Sequence, residues 1–215
     1  MIDIDSIHGG PFDCNIYLLR KGDTALLVDS GTGFSAEGVI RKVRRRLGKL
    51  KLDGILLTHE HIDHSGGAST LREEFDCDIF ASDGTADILE RADRDLTGCS
   101  LFGVDLKPVK DIRRLGDGFD KGEIEMEVRK APGHAPGQIC LIETESRALF
   151  CGDLLFCDGG VGRWDLPGGD FELHRESIRR ALTWEVKSLH PGHGRSEWDK
   201  PMEQMETSYA MVRNL

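Results

Sequence analysis

Between Thr58 and Gly67 the chain reads Thr-His-Glu-His-Ile-Asp-His-Ser-Gly-Gly, which places His59, His61, Asp63 and His64 on one short turn. Imidazole nitrogen and carboxylate oxygen are the donors that suit Zn²⁺, Fe²⁺ or Mn²⁺. The chain holds 8 His altogether, so their crowding into this segment is not a chance pattern. Further donors stand where an apolar stretch gives way to a Gly-containing turn, in Pro132-Gly133-His134, Cys151-Gly152-Asp153 and Pro191-Gly192-His193. Glycine lets the backbone turn while its neighbour's side chain faces inward, and loops at one edge of a sheet can converge. Together these groups predict a metal site, because the same side chains gathered without a shared purpose would be costly to bury.

The elements that must position them follow from hydrophobic periodicity and turn residues. The pattern predicts strands at 2–8, 15–20, 24–29, 53–58 and 78–81, with helices at 35–47 and 67–75. The second half repeats the rhythm, with strands at 124–129, 138–144, 148–151 and 185–189 and a helix over 170–184 that Asp170 can cap. Between the halves, 86–95 reads as a short helix and 101–115 as a strand with its turn. Strands followed by a helix in each half suggest an α/β sandwich with pseudo-symmetry. No Ser- or Pro-rich linker divides the chain, so residues 1–215 are expected to form one domain.

The balance of 28 Lys+Arg against 38 Asp+Glu gives a net charge of −10, which argues against nucleic acid as a partner. The basic run Arg41-Lys42-Val43-Arg44-Arg45-Arg46 is threaded by Val39, Ile40, Val43 and Leu47 and reads as a solvated helix face. The 6 Cys form no C-x-x-C pair and are expected to be free thiols. No apolar run approaches the roughly 20 residues of a membrane span, and Met1-Ile2-Asp3-Ile4-Asp5 lacks the features of a leader, so a soluble, cytoplasmic protein without membrane contact is expected. Gly31-Thr32-Gly33-Phe34-Ser35-Ala36 fits a dinucleotide-binding pattern only loosely and reads instead as a loop beneath the metal site. The phosphate-loop, serine-hydrolase, zinc-protease and nucleotide-deaminase motifs are absent. His8, His174 and His190 are expected to be surface or packed residues, and Glu60, alternating with the ligands, to point into solvent.

The H-x-H-x-D-H turn, followed at these intervals by His134, Asp153 and His193, resembles the metallo-β-lactamase fold superfamily over nearly the whole chain. The resemblance implies an α/β fold, a four-layer αβ/βα sandwich of two mixed β-sheets with outer helices, and a dinuclear centre at one edge. It puts His59, His61 and His134 on one divalent ion and Asp63, His64 and His193 on the other, with Asp153 bridging. Asp29, in Val28-Asp29-Ser30-Gly31, matches an acidic turn that orients a ligand histidine. Gly133-His134-Ala135-Pro136-Gly137, Gly152-Asp153-Leu154-Leu155-Phe156 and the loop from Gly162 to Asp170 look most like short glyoxalase II enzymes.

That likeness implies two divalent ions, zinc first with iron or manganese as alternatives. It also implies hydrolysis of S-lactoylglutathione or a related (thio)ester by a metal-bridging hydroxide, with Asp63 and Asp153 as the catalytic residues. A thioester suits such a centre because a thiolate leaves without a proton. The substrate is expected to be a small anion, contacted by Arg163 unless that residue is merely structural, with Trp164 lining the mouth or packing. Longer members carry a C-terminal extension that holds glutathione, which the short stretch between His193 and Leu215 does not provide. A persulfide dioxygenase with one Fe²⁺, a lactone or ester hydrolase, and a metal-binding module without catalysis are the alternatives.

Overall fold

In the computed structural model, which describes residues 1–215, strands β1 (Asp3–His8), β2 (Asn15–Lys21), β3 (Thr24–Val28), β4 (Gly54–Leu56), β5 (Asp78–Ala81) and β6 (Ile112–Arg114) form one sheet in sequential order. A second sheet runs β11 (Ser188–Pro191), β10 (Ala148–Gly152), β9 (Ile139–Glu143), β8 (Ile124–Lys130) and β7 (Gly118–Lys121). Both sheets are mixed. In the first, β1, β2 and β3 pair antiparallel and β3 to β6 parallel; in the second, β10 and β11 are parallel and the other pairs antiparallel.

The alternation of side chains along each strand separates the layers. Tyr17, Leu19, Leu26, Val28 and Leu56 face Met126, Val128, Leu141 and Phe150 across the gap between the sheets. The opposite faces of the same strands, through Ile16, Leu18, Leu27 and Ile55, pack against Val39, Val43 and Leu71, which belong to helices α1 (Ala36–Leu47) and α3 (Ala68–Phe75). Helix α4 (Asp83–Glu90) lies on that face through Ala86 and Leu89. On the far side of the second sheet, Cys140, Ile142, Leu149 and Leu189 pack against Ile178 and Ala181 of α6 (Phe171–Ala181) and Met205 of α7 (Pro201–Val212). Short helices α2 (Ile62–Ser65) and α5 (Cys99–Phe102) complete the chain. The result is the four-layer α/β sandwich with helices outside. Strands covered on both faces read as continuous apolar runs, and burying each large apolar side chain stabilises the fold by about 1.5–3 kcal/mol.

Several bounds differ from those the sequence predicts, each for a local reason. The strand expected over 53–58 pairs only as Gly54–Leu56, because the Thr58 amide donates to the Asp29 carboxylate at 2.8 Å and leaves the ladder. The strand expected over 185–189 is Ser188–Pro191, set by parallel register with β10 in which Ala148 faces Ser188. The helix expected over 86–95 starts at Asp83, since Ser82 Oγ accepts the Thr85 amide, and Ala92 at a φ of 51° lies beyond its end. The stretch 101–115 divides into the end of α5 and the short β6. Helix α7, with Pro at its start, and strand β7 have no counterpart in the sequence reading. All the cysteines are free thiols, and no helix is long and apolar enough to cross a membrane.

Candidate metal centre

The site lies at the edge where β3, β4, β8, β10 and β11 end, and ligand loops grow from those ends as the parallel strand directions require. Backbone hydrogen bonds join the sheets there: Ile139 N donates to Thr58 O at 2.8 Å and Asn15 N to Gly192 O at 2.7 Å. The ligand turn itself is pinned. Ser65 Oγ donates to the carbonyls of Glu60 and His61, and Ser30 donates to His64 O from both its amide and its hydroxyl.

His59, His61, His64, His134 and Asp153 are all buried, while Asp63 and His193 are half-buried toward the opening. Their donor atoms gather in overlapping groups: His59 with His61 and His134, His59 with His64 and Asp153, and Asp63 with His64 and His193. Within each group the atoms lie within 4.8 Å of one another. The sequence-predicted ligands are therefore brought together at one place, with Asp153 between the two triads: its carboxylate stands 3.6 Å from His134 Nε2 on one side and 3.2 Å from His64 Nε2 and 3.4 Å from His193 Nε2 on the other.

Hydrogen bonds behind the rings decide which nitrogens face the centre. Thr58 Oγ1 donates to Asp29 at 2.9 Å, so it can only accept from His59 Nδ1 at 3.1 Å, which turns the lone pair of His59 Nε2 inward. His64 Nδ1 donates to Asp29 Oδ2 at 2.8 Å, and His134 Nδ1 to the Arg163 carbonyl at 2.6 Å. Asp29 reaches its position through a left-handed φ of 63°. Gly192 is required by close approach, because a Cβ there would stand 2.2 Å from Asp153 Oδ1.

The residues fit a metal because several of their buried atoms are left unsatisfied. His59 Nε2, His64 Nε2 and Asp153 Oδ1 are buried and have no hydrogen-bond partner; the 3.2 Å approach of His64 to Asp153 is not aligned as a bond. Leaving such atoms unmet costs about 1–3 kcal/mol each, more for charged ones. His61 Nδ1 and His134 Nε2 point at each other across 2.8 Å, where two lone pairs repel unless a cation or proton lies between them.

The two triads differ in proton affinity. Burial, reinforced by neighbouring histidines, pushes His59 well below the usual imidazole range and His61 down to about 3. Burial also lowers His134, against the pull of Asp153. On the other side burial would lower His193, but its hydrogen bonding to the Asp153 and Asp63 carboxylates, which accept, outweighs burial and raises it to about 9. Burial is likewise overcome at His64 by the surrounding acidic groups, which raise it. Asp153, which burial alone would raise, is held well below the carboxylate range by His64, His193 and His134.

Other residues depart from expectation. Glu60 does not point into solvent: it is fully buried, and its carboxylate accepts from Gly137 N at 3.0 Å and Thr85 Oγ1 at 2.8 Å. The reason is spacing around the tight turn, which directs the residue between two ligands under the sheet edge and toward the His134 loop. No sequence signal marks Glu60 or Thr58 as supports, beyond their adjacency to the ligands. Arg163 lines the cavity above the centre, but its guanidinium donates to Asp165 at 2.9 and 2.8 Å, and it serves the site through its carbonyl. Trp164 packs against Phe171 and His174. His174 and His190 are buried and His8 is exposed.

Residues 9–193 match the model of the metallo-beta-lactamase superfamily. Over 184 residues the chain is 34% identical to the hydroxyacylglutathione hydrolase GloC of Haemophilus influenzae, covering 84% of each protein. The solved structure of BLEG-1, described as a B3 metallo-beta-lactamase, superposes with a TM-score of 0.79 at 32% identity, covering 91% of this chain and 93% of that one. A structure of TTHA1623 described as a di-iron-bound form gives 0.77 at 30% identity, covering 97% and 98%.

Proposed function

This chain belongs to the metallo-beta-lactamase superfamily, and from that premise we propose that it is a metal-dependent hydrolase of small thioesters, S-lactoylglutathione or a related one. The observation that carries the thioester is a missing acid. Outside the ligand set, the side chains lining the cavity that bear an exchangeable proton are Thr97 and Arg163. The Thr97 hydroxyl already donates to Asp93 O at 2.7 Å, and Arg163 is raised further above its ordinary value by Asp165, so neither protonates a leaving group. An alkoxide or an amide nitrogen needs that proton, whereas a thiolate departs without it. The relationship to GloC supports the same reading.

His59, His61 and His134 would hold one divalent ion and Asp63, His64 and His193 the second, with Asp153 shared. Histidine nitrogen and carboxylate oxygen without thiolate suit zinc first, and iron or manganese as alternatives. Bound there, two such ions would supply Lewis acidity at the scissile carbonyl and an activated water at neutral pH. The chain's own part is geometric and electrostatic. Asp29 holds His64 and, through Thr58, His59 in the tautomers that present Nε2. Asp63, which lines the cavity with Oδ2 3.1 Å from His193 Nε2, is placed to take a proton from an attacking water and release it to solvent at the opening, while the thiolate leaves unprotonated. The buried walls exclude bulk water from the inner triad, which strengthens every charge interaction within it.

The test is anaerobic hydrolysis of S-lactoylglutathione by the full chain reconstituted with zinc, iron or manganese, with rates normalised to bound metal. Turnover without oxygen is expected, and none with a chromogenic cephalosporin, whose leaving nitrogen needs an acid. Oxygen consumption with a persulfide and no anaerobic turnover would overturn the reading in favour of a dioxygenase. Tight metal binding with no turnover of thioester, ester or lactone would reduce the protein to a metal-binding module.

A further inference from the structure

The cavity over the ligand cluster has a volume of about 440 Å³, and beyond the ligands its wall is mainly apolar: Ile62, Leu101, Phe102, Phe156, Val161 and Leu166. Two of these side chains are held in water at the mouth, Leu101 at 62% and Phe102 at 41% exposure. Phe102 also meets the exposed ring of Phe12 edge to face, with centroids 6.2 Å apart. Single exposed apolar residues are ordinary, but a group of them rimming a cavity marks a surface kept for a ligand. The backbone presents them deliberately: α5 anchors its inner side with the buried Cys99, and Gly98 and Gly103, at φ of 72° and 64°, turn the chain sharply on either side.

Charge at the mouth points the same way. Arg163, the cation of the cavity wall, already spends its planar fork on both oxygens of Asp165. A peptide-like anion therefore finds no free cationic side chain on this wall, while an apolar chain finds a continuous surface.

We infer that the mouth formed by Leu101 and Phe102, with Phe12 packed on the ring of Phe102, selects thioesters carrying an apolar group beside the scissile bond. This rests on the thioester reading above and narrows it. The apolar group can lie on the acyl or on the thiol side, and the substrates used distinguish the two.

The metal-reconstituted full chain is given S-acetylglutathione, S-octanoylglutathione and S-acetylhexanethiol, and kcat/KM is measured for each. At least about a tenfold advantage is expected for one or both apolar substrates over S-acetylglutathione, since two buried methylenes already suffice for that factor. The variant Leu101→Ser/Phe102→Ser, altered at exposed positions, is expected to bring the ratio close to one. A binding measurement on the metal-free chain stands independently of turnover: octanamide should bind with a negative heat-capacity change and lactamide should not, and the variant should lose the octanamide signal. Equal kcat/KM for all three thioesters, or a preference unchanged in the variant, would overturn the inference and leave the hydrolase reading standing. Failure of every thioester would overturn the hydrolase reading, and octanamide binding would then still decide whether the mouth recognises apolar groups.

Discussion

The two sheets contribute to the metal centre in different ways. The first delivers His59, His61, Asp63 and His64 from one turn after β4, and supports them from the adjacent turn through Asp29. The second delivers His134, Asp153 and His193 singly, from loops after β8, β10 and β11. On the first side, ligand geometry is local, set by a short turn and its hydrogen bonds. On the second it depends on strand register, including the irregularity between Phe150 and Gly152 where β10 meets β11. Local geometry survives small movements of the fold, whereas register-dependent geometry does not. The centre is thus a fixed half awaiting an assembled half, and the proton affinities follow the division in part: His59 and His61 are driven neutral, while His193 on the assembled side is raised.

The largest effect is expected for Asp153→Ala, which removes the group shared by both triads. Activity should fall by more than about 100-fold, the upper end for supports that merely orient a ligand, and metal analysis should show loss of at least one ion. Normal metal content with a normal rate would show that the triads are not joined there. Asp29→Asn strikes the local half from behind. Metal affinity should weaken by roughly 10–100-fold, because the carboxylate holding His64 and Thr58 is replaced by an amide that accepts at one end only. An unchanged titration by competing chelator would mean that the turn holds its rings without Asp29.

Glu60 joins the halves by accepting from Gly137 on the His134 loop. Glu60→Ala should therefore cost about 1.5–3 kcal/mol in denaturant unfolding, the usual range for a hydrogen-bonded charged group, with Glu60→Gln recovering part of it. Equal stability of all three proteins would separate the halves again.

His190 supplies a contrast within the second sheet, because its ring nitrogens are both met, by Ser188 Oγ at 2.9 Å and Ser196 Oγ at 3.1 Å, as a packed histidine's should be. Burial lowers it from 6.5 to about 4. The unfolded chain then takes up a proton before the folded one, so its contribution is complete above pH 6.5 and is lost as pH falls toward 4. The loss is roughly 3 kcal/mol at most. In metal-free protein, His190→Gln should flatten the acid limb of the stability curve by that amount, leaving the slope due to other buried histidines; an identical acid limb would place its protonation elsewhere. The smallest effect is expected for Arg163→Met, which keeps the carbonyl that holds His134 and removes a guanidinium already paired with Asp165. S-lactoylglutathione turnover should change by less than about threefold, within the worth of an exposed ion pair, and a larger drop in kcat/KM would return Arg163 to anion recognition.

By itself the sequence determined what is local. His59 to His64 on one turn, the Val39, Val43 and Leu47 stripe of α1, the cap at Asp170 and the doubly apolar strands are legible because spacing along the chain becomes spacing in a turn, helix or strand directly. The resemblance carried by those motifs also anticipated the two mixed sheets with outer helices. Only the tertiary structure decided the remainder. It buried Glu60 against the His134 loop, tied Arg163 to Asp165 and moved the last strand to Ser188–Pro191. It also set Leu101 and Phe102 over the centre beside Phe12. Each of these depends on which strand ends share an edge and in what register, and that is settled by packing between residues far apart in the chain rather than by any property of the segment alone.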